Sequence, residues 1–300
     1  MEYKNLPDLP GLAALRAVVE HGGVSKAAEI LFIGQPAVTK RLRALESCYG
    51  TIIMERVSGR LRLTTAGEKV YTFAVQTLER NALLIEDLLS LAEGSHLLRL
   101  DVTFSIGDHF LPELLVQFSE RFPQYNINSR LGYSKGIQTR LVTGLADLAI
   151  MENAPDHPDI MVQKWLEDEL WLTVGRHHPL AKSYTTSIES SELTQLSYVL
   201  RERQAAVRET AEEALRNIGV GKLDIKMEVG STDAIVEILQ RGGHASFLPR
   251  FAVEKLVANG DLFHIKISNL TIKRTLWIAR NRSSLDHQVA ESFISILREY

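Results

Sequence analysis

The stretch GVSKAAEILFIGQPAVTKRLRALE, residues 23–46, decides how this 300-residue chain is read. Two helical patterns are joined in it by a tight break at Phe32-Ile33-Gly34. Before the break, Ser25 stands ahead of Lys26-Ala27-Ala28-Glu29-Ile30-Leu31, with Glu29 close enough to help cap, and the two small alanines let another helix cross closely. After it, Gln35-Pro36 opens a helix to about Glu46, with proline at the first position, where its missing N–H costs nothing. Val38, Leu42 and Leu45 lie at i, i+4 and i+7 and face a core, which turns Gln35, Pro36, Thr39, Lys40 and Arg43 outward. These residue types read a nucleic-acid groove. Gln pairs with adenine and Arg with guanine, Thr reaches base or phosphate, and Pro offers an apolar edge to a thymine methyl. A solvated face of a small helical domain carries similar residues, so the flanking sequence has to decide.

Upstream, Leu9, Leu12, Ala13, Leu15, Ala17, Val18 and Val19 form a helical apolar face that ends at His21-Gly22-Gly23. Downstream, after Tyr49-Gly50, the runs Ile52–Val57 and Leu61–Thr64 flank Ser58-Gly59-Arg60, a hairpin pattern with an arginine at its tip. Helix, helix, turn, helix and wing is the order of a winged helix-turn-helix, whose recognition helix enters the major groove while the wing touches flanking backbone. The candidate DNA contacts are Ser25, Gln35, Pro36, Thr39, Lys40, Arg43, Arg56 and Arg60.

The combination of Gly23-Val-Ser-Lys-Ala-Ala, residues 35–46, Gly50, Arg56 and Leu63-Thr-Thr-Ala-Gly67 resembles the signature of LysR-type transcriptional regulators along its whole length. The resemblance implies that Gln35, Pro36 and Thr39 contact DNA, with Arg56 and the wing nearby. Two residues depart from the pattern: Thr39 stands where serine is usual, and Met54 where phenylalanine is usual. Neither change removes a required group, although the extra methyl of Thr39 can alter base preference.

The charge is divided in a way that suits this reading. The chain carries −3 overall, but residues 1–65 hold nine Lys/Arg against six acids, a net +3, which leaves −6 on the remainder. A basic head on an acidic body means that only the head approaches DNA. Hydrophobic residues at 45% and charged residues at 24% are ordinary for folded proteins. Residues 1–10 show no secretory pattern and no apolar run reaches spanning length, so the expected location is the cytoplasm, with no membrane partner. The single cysteine, Cys48, excludes an internal disulfide and fits a reducing compartment.

From Ala66 to about Ala92 there is no proline and glycine only at Gly67, so one long linker helix is expected. Tyr71, Leu78, Ile85 and Ala92 recur every seventh residue, with Ala74 and Leu88 between them, as a dimerising seam in which Asn81 can fix register. Glu93-Gly94-Ser95 reads as a hinge. The expected domains are a winged helix-turn-helix at 1–65, a linker and dimerisation helix at 66–93, and an effector-binding domain at 94–300.

In that body strands and helices alternate, beginning with Leu98–Phe104, Leu111–Phe122, Ile127–Leu131, Ile137–Gly144 and Leu148–Met151. The alternation argues for parallel sheets with helices on both faces. It resumes with Leu170–Val174, Tyr198–Leu200, Ala205–Ile218, Lys226–Val229, Ala234–Arg241, Ala245–Leu248 and Phe251–Val257. The fold class is therefore an N-terminal all-α winged helix-turn-helix with a long linker helix, followed by a C-terminal α/β two-lobed effector domain resembling periplasmic binding proteins. Trp165–Asp168 is the expected crossing between lobes, and the resemblance implies that the last strand and helix return to the first lobe. Lobe one then spans 94–165 and 268–300, and lobe two 166–267.

Ligands of open α/β sheets sit beyond the carboxyl ends of strands, where helix N-termini offer free N–H groups. Such places are Ser105-Ile-Gly107, Ser134-Lys135 and Ser231-Thr232, with Arg201 and Gln204 after another strand. Convergence of Ser105, Gly107, Ser134, Lys135, Arg201, Gln204, Ser231 and Thr232 would make a cleft for a small organic anion. The alternative for each Ser or Thr is a helix cap, and for Arg201 a surface salt bridge. No Gly-x-Ser-x-Gly elbow, Walker loop or strand-linked Gly-x-Gly-x-x-Gly is present, so enzyme chemistry lacks its parts. His177-His178 lacks spaced partner ligands, and no metal or cofactor is expected. The expected partners are double-stranded promoter DNA at a dyad site, a small-molecule effector, a homodimer or homotetramer, and RNA polymerase when the protein activates.

Overall fold

The computed structural model describes residues 6–57, 60–93, 96–282 and 287–300. The chain divides into two compact units, Met1–Glu93 and Gly94–Tyr300.

The first unit contains α1 (Leu9–Glu20), α2 (Val24–Ile30), α3 (Gln35–Tyr49), a hairpin of β1 (Met54–Val57) and β2 (Arg60–Leu63), and α4 (Thr65–Glu93). Asp8 caps α1 by accepting from the Gly11 amide at 2.8 Å. Buried Ala14, Ala17, Val18, Ala27, Ala28 and Val38 form one small core, so the two alanines of α2 do allow a close crossing. Two local expectations need correction. Ser25 caps nothing, because α2 begins at Val24 behind Gly23, which has no side chain to cap with. The recognition helix α3 runs past Glu46 to Tyr49, where Gly50 at φ +64° ends it in the left-handed conformation glycine adopts without strain.

The Leu63-Thr-Thr-Ala-Gly67 motif has a structural explanation. The Thr64 hydroxyl donates to the Ile52 carbonyl at 2.8 Å and accepts from the Gly67 amide at 2.9 Å, which ties the wing to the start of α4. A Cβ on Gly67 would lie 2.0 Å from the Ile53 carbonyl oxygen, so only glycine permits this approach. Glu46, at the far end of the same junction, accepts from the Ile53 amide at 3.0 Å.

Helix α4 spans 29 residues. Its first turns complete the core of the head through Val70 and Ala74, with Tyr71 and Leu78 packed against them. The heptad row is therefore split. Tyr71 and Leu78 serve the head, whereas Leu84, Ile85 and Leu88 remain exposed further along. The side chain of Ala92 and the hinge residues Gly94 and Ser95 lie outside the described residues.

The second unit is a mixed α/β structure. Its elements are β3 (His96–Thr103), α5 (Phe104–His109), α6 (Leu111–Arg121), β4 (Tyr125–Gly132), α7 (Ser134–Val142), β5 (Leu148–Met151), β6 (Ile160–Gly175), α8 (Pro179–Lys182), β7 (Ser187–Ile188), β8 (Ser197–Leu200), α9 (Ala206–Asn217), β9 (Asp224–Glu228), α10 (Thr232–Arg241), β10 (Ala245–Pro249), α11 (Arg250–Ala258), β11 (Leu262–Ile267), β12 (Ile272–Asn281) and α12 (Gln288–Leu297). The sheet order is β4-β3-β5-β12-β6-β10-β8-β9, with β11 also on β6.

Strands β3, β4 and β5 are parallel, as are β8, β9 and β10. The expectation of parallel pairing fails at β6 and β12, which pair antiparallel from Leu170↔Ile272 to Ile160↔Asn281 and carry the chain between two cores. One core gathers Leu98, Leu100, Phe118, Leu276, Ile278 and Phe293; the other gathers Leu170, Leu172, Tyr198, Leu200, Phe247 and Ile272. The end of the chain thus packs with the first elements of the second unit. Trp165–Asp168 falls inside β6, an unbroken strand in place of the expected short one. Helix α5 and strand β11 were not expected from the sequence; α5 occupies what reads as a ligand loop.

Candidate functional site

On the head, Gln35, Pro36, Lys40 and Arg43 are exposed on α3, and Thr39 is half-buried. Val24, Ser25, Gln35, Pro36, Thr39, Arg56 and Leu61 line one open concavity between α2, the start of α3 and the wing. Five of the eight expected DNA contacts therefore share a single surface, assembled from three elements. Lys40 and Arg43 lie further along α3, outside it. The Thr39 hydroxyl donates to the Gln35 carbonyl at 3.1 Å, which leaves its lone pairs to accept. Arg60 opens β2, but its side chain and the tip residues Ser58 and Gly59 lie outside the described residues.

In the second unit, Thr103, Phe104, Gly132, Tyr133, Ser134, Glu152, Arg201, Gln204, Ala205 and Ala206 line a small, partly open cavity of about 10 Å³, the space of a single water. Of the expected effector residues, Ser134, Arg201 and Gln204 line it directly. Thr232 is fully buried and accepts from Arg201 Nη1 at 3.1 Å. Ser105 is buried in α5 with no partner for its hydroxyl, and Thr103 is in the same condition. The other three have different settings. Ser231 caps α10 by accepting from the Ala234 amide at 3.3 Å. Gly107 is packed so closely that a Cβ would meet Leu131 Cδ2 at 2.2 Å. Lys135 is exposed on the first turn of α7.

Arg201 is not a surface group: it is only 3% exposed. Its guanidinium grips the neighbouring Glu202 carboxylate in a fork, Nε to Oε2 at 2.9 Å and Nη2 to Oε1 at 2.8 Å. The Tyr133 hydroxyl donates to the same carboxylate at 2.8 Å, from the segment between β4 and α7 to the segment after β8. Burial alone would raise the Glu202 carboxyl, but the hydrogen bonds from Arg201, its own backbone and Tyr133 hold it below the ordinary carboxylate range. Glu152 is balanced in turn by Arg274, whose Nη1 lies 2.7 Å away while its Nε meets Asp168 at 2.8 Å. Burial pushes Asp168 up even with Arg274 beside it. Arg201 is thus already paired with Glu202, and Glu152 with Arg274.

Sequence reading missed Thr103, Tyr133, Glu152 and Glu202. Thr103 stands at a strand end and could have been included on that rule. Glu202 directly follows Arg201 and supplies the salt bridge expected as the alternative for Arg201, although the pair is formed in the interior and not at the surface.

The chain matches the family model described as LysR substrate binding domain over residues 92–300. It matches that of the bacterial regulatory helix-turn-helix protein, lysR family, over residues 9–68. A probable RuBisCO transcriptional regulator from Cyanophora paradoxa is 28% identical, covering 98% of this chain and 92% of that protein. The crystal structure of full-length CbnR complexed with target DNA has the same fold, at TM-score 0.73 and 20% identity, covering 97% of this chain and 99% of that one. The regulatory domain of CcmR from Synechocystis PCC6803, solved in complex with 2-PG, matches at TM-score 0.61 and 24% identity, covering 68% of this chain and 96% of that one.

Proposed function

Because this chain belongs to the LysR family of transcriptional regulators, we propose that it reads a dyad DNA site as a homodimer or homotetramer and answers to a small organic anion held between its two lobes. It is a DNA-binding regulator and not an enzyme. The observation that carries the DNA reading is the shared concavity of Ser25, Gln35, Pro36, Thr39 and Arg56. Gln35 and Thr39 address base edges there, Lys40 and Arg43 extend that groove-facing surface along α3, and Arg56 and Arg60 of the wing address flanking phosphates.

Replacing Gln35 by Ala is expected to cost about 1–3 kcal/mol at a duplex enriched by the wild-type protein, and much less on scrambled DNA. Mobility shifts measure both. Equal losses on the two duplexes would remove Gln35 from base reading.

For the effector, support comes from the buried strand-end hydroxyl of Thr103, with Ser134, Arg201 and Gln204 around one cavity, and from a related regulatory domain solved with 2-PG. The ligand enters as the Tyr133–Glu202 link opens, and its anionic group takes the place of the Glu202 carboxylate on Arg201. On this two-lobe reading Thr103, Tyr133, Ser134 and Glu152 come from the first lobe and Arg201 and Gln204 from the second, which supports a site at their junction. Closure around the ligand then biases how the DNA-binding heads are arranged in the oligomer. Engagement of RNA polymerase accompanies activation, and the protein acts in the cytoplasm; among the described residues, no helix is long and apolar enough to cross a membrane.

A further inference from the structure

Phe32 brings two unusual features together at one position. It lies in the turn between α2 and α3, directly after Leu31, the residue that ends α2, and three residues before Gln35. Its side chain is 94% exposed. Its backbone is left-handed, with φ +54°. Scattered exposed apolar residues are common and need no explanation by themselves. A bulky left-handed residue is uncommon, because its Cβ crowds the backbone, and the position just past a helix is ordinarily given to Gly or Asn.

The turn itself does not require phenylalanine. The geometry is held by backbone bonds, from the Phe32 amide to the Glu29 carbonyl at 3.2 Å and from the Ile33 amide to the Ala28 carbonyl at 3.0 Å. Ile33 packs against the small core of the head, so the apolar anchoring of the turn is done by the next residue. Among the described residues the Phe32 ring has no aromatic partner. Asparagine would satisfy the backbone better and suit water better.

We propose that Phe32 is a DNA-positioning residue, its ring lying against the deoxyribose faces of the strand that borders the groove entered by α3. Two arguments favour this occupant. Phe32 lies in the short turn that leads into the recognition helix, three residues before exposed Gln35 and four before exposed Pro36. In a helix-turn-helix the first helix of the motif crosses the backbone while the N-terminal residues of the second reach the bases, so the turn joining them passes over the groove edge. Sugar faces are apolar and present at every nucleotide, so the contact fixes position without reading sequence. The inference rests on the DNA-binding reading of the head and adds a residue to it.

The test uses the full-length chain, a duplex enriched from a random pool by the wild-type protein, and a scrambled duplex. Phe32→Asn is expected to keep or raise the thermal midpoint, because it relieves the backbone, while weakening both duplexes by a similar factor of about ten. In Phe32→Trp the added indole reports contact directly: Trp165, Trp171 and Trp277 all belong to the second unit, so a blue shift on adding DNA that wild type lacks comes from position 32. Unchanged DNA affinity in Phe32→Asn overturns the proposal. A lowered midpoint assigns the ring a folding role instead, and a loss confined to the enriched duplex makes it a base reader. A loss accompanied by a change in mass by light scattering assigns it to contact between copies. Wild-type protein that binds neither duplex overturns the DNA reading of the head, on which the contact depends.

Discussion

Three histidines sit where protonation is costly. Burial holds His109, His178 and His264 below their ordinary range; nearby acids oppose it at His109, His244 adds to it at His178, and Lys266 adds to it at His264. An unfolded histidine takes its proton near pH 6.5, and each of these in the folded protein only at lower pH. Between those values the unfolded chain binds more protons, so stability is present above about pH 6.5 and is lost as the pH falls through the folded values. Asp101, Asp108 and Asp168 act in the opposite sense, because burial raises each of them. Their contribution grows only as the pH approaches the carboxylate range. The thermal midpoint is therefore expected to be lower at about pH 5.5 than at about pH 7.5. A midpoint that is flat or rising on acidification over that interval contradicts the assignment. None of this was legible from the residues alone, since a histidine's surroundings are set by elements far away in sequence; His264, for example, stacks on Trp171 at 4.2 Å.

At the scale of elements, α3 and α4 show how a readable period divides into jobs. Val38 and Leu45 are buried as their spacing requires, Leu42 packs against both small cores of the head, and Lys40 and Arg43 face out. The row on α4 has the same regularity but two destinations, the head's own core for Tyr71, Ala74 and Leu78, and solvent for Ile85 and Leu88. Periodicity cannot tell these apart, because both want an apolar face. The exposed set is expected to pair two chains. Replacing Ile85 and Leu88 together by Asp should leave the thermal midpoint of the isolated head close to wild type, since exposed positions contribute within about 0.5 kcal/mol. It should lower the mass measured by light scattering and weaken binding to a dyad duplex. An unchanged mass would move the oligomer contact elsewhere.

For the whole molecule, the question is how the effector site and the DNA surface communicate while remaining separate units. A ligand that binds only the folded state adds RT ln(1 + [L]/Kd), about 2.7 kcal/mol at a hundredfold excess over Kd, so a thermal-shift screen of small carboxylates and phosphates, 2-PG included, can find it. Arg201→Ala is expected to abolish that shift. It also leaves Glu202 without its main partner and costs the second unit about 2–4 kcal/mol, somewhat below a fully buried pair because Glu202 is partly exposed. DNA affinity without effector should stay within about twofold of wild type, because the coupling runs through the assembly. A variant that still responds to the identified effector like wild type would displace the proposed site.

The sequence by itself determined the head: its helices, turn and wing are written in spacings of three to seven residues, in glycines at turns and in small residues at crossings, all local features. It also determined that the body alternates strand and helix. Only the tertiary structure decided that the two crossing strands, β6 and β12, pair antiparallel with each other, that Arg274 pairs with Glu152 across 122 positions, and that Arg201 holds Thr232 across 31. Those partners are selected by sheet order and register, which bring together charges that no local pattern relates. Burial then makes each pairing obligatory, because an unpaired charge in the interior is too costly to keep.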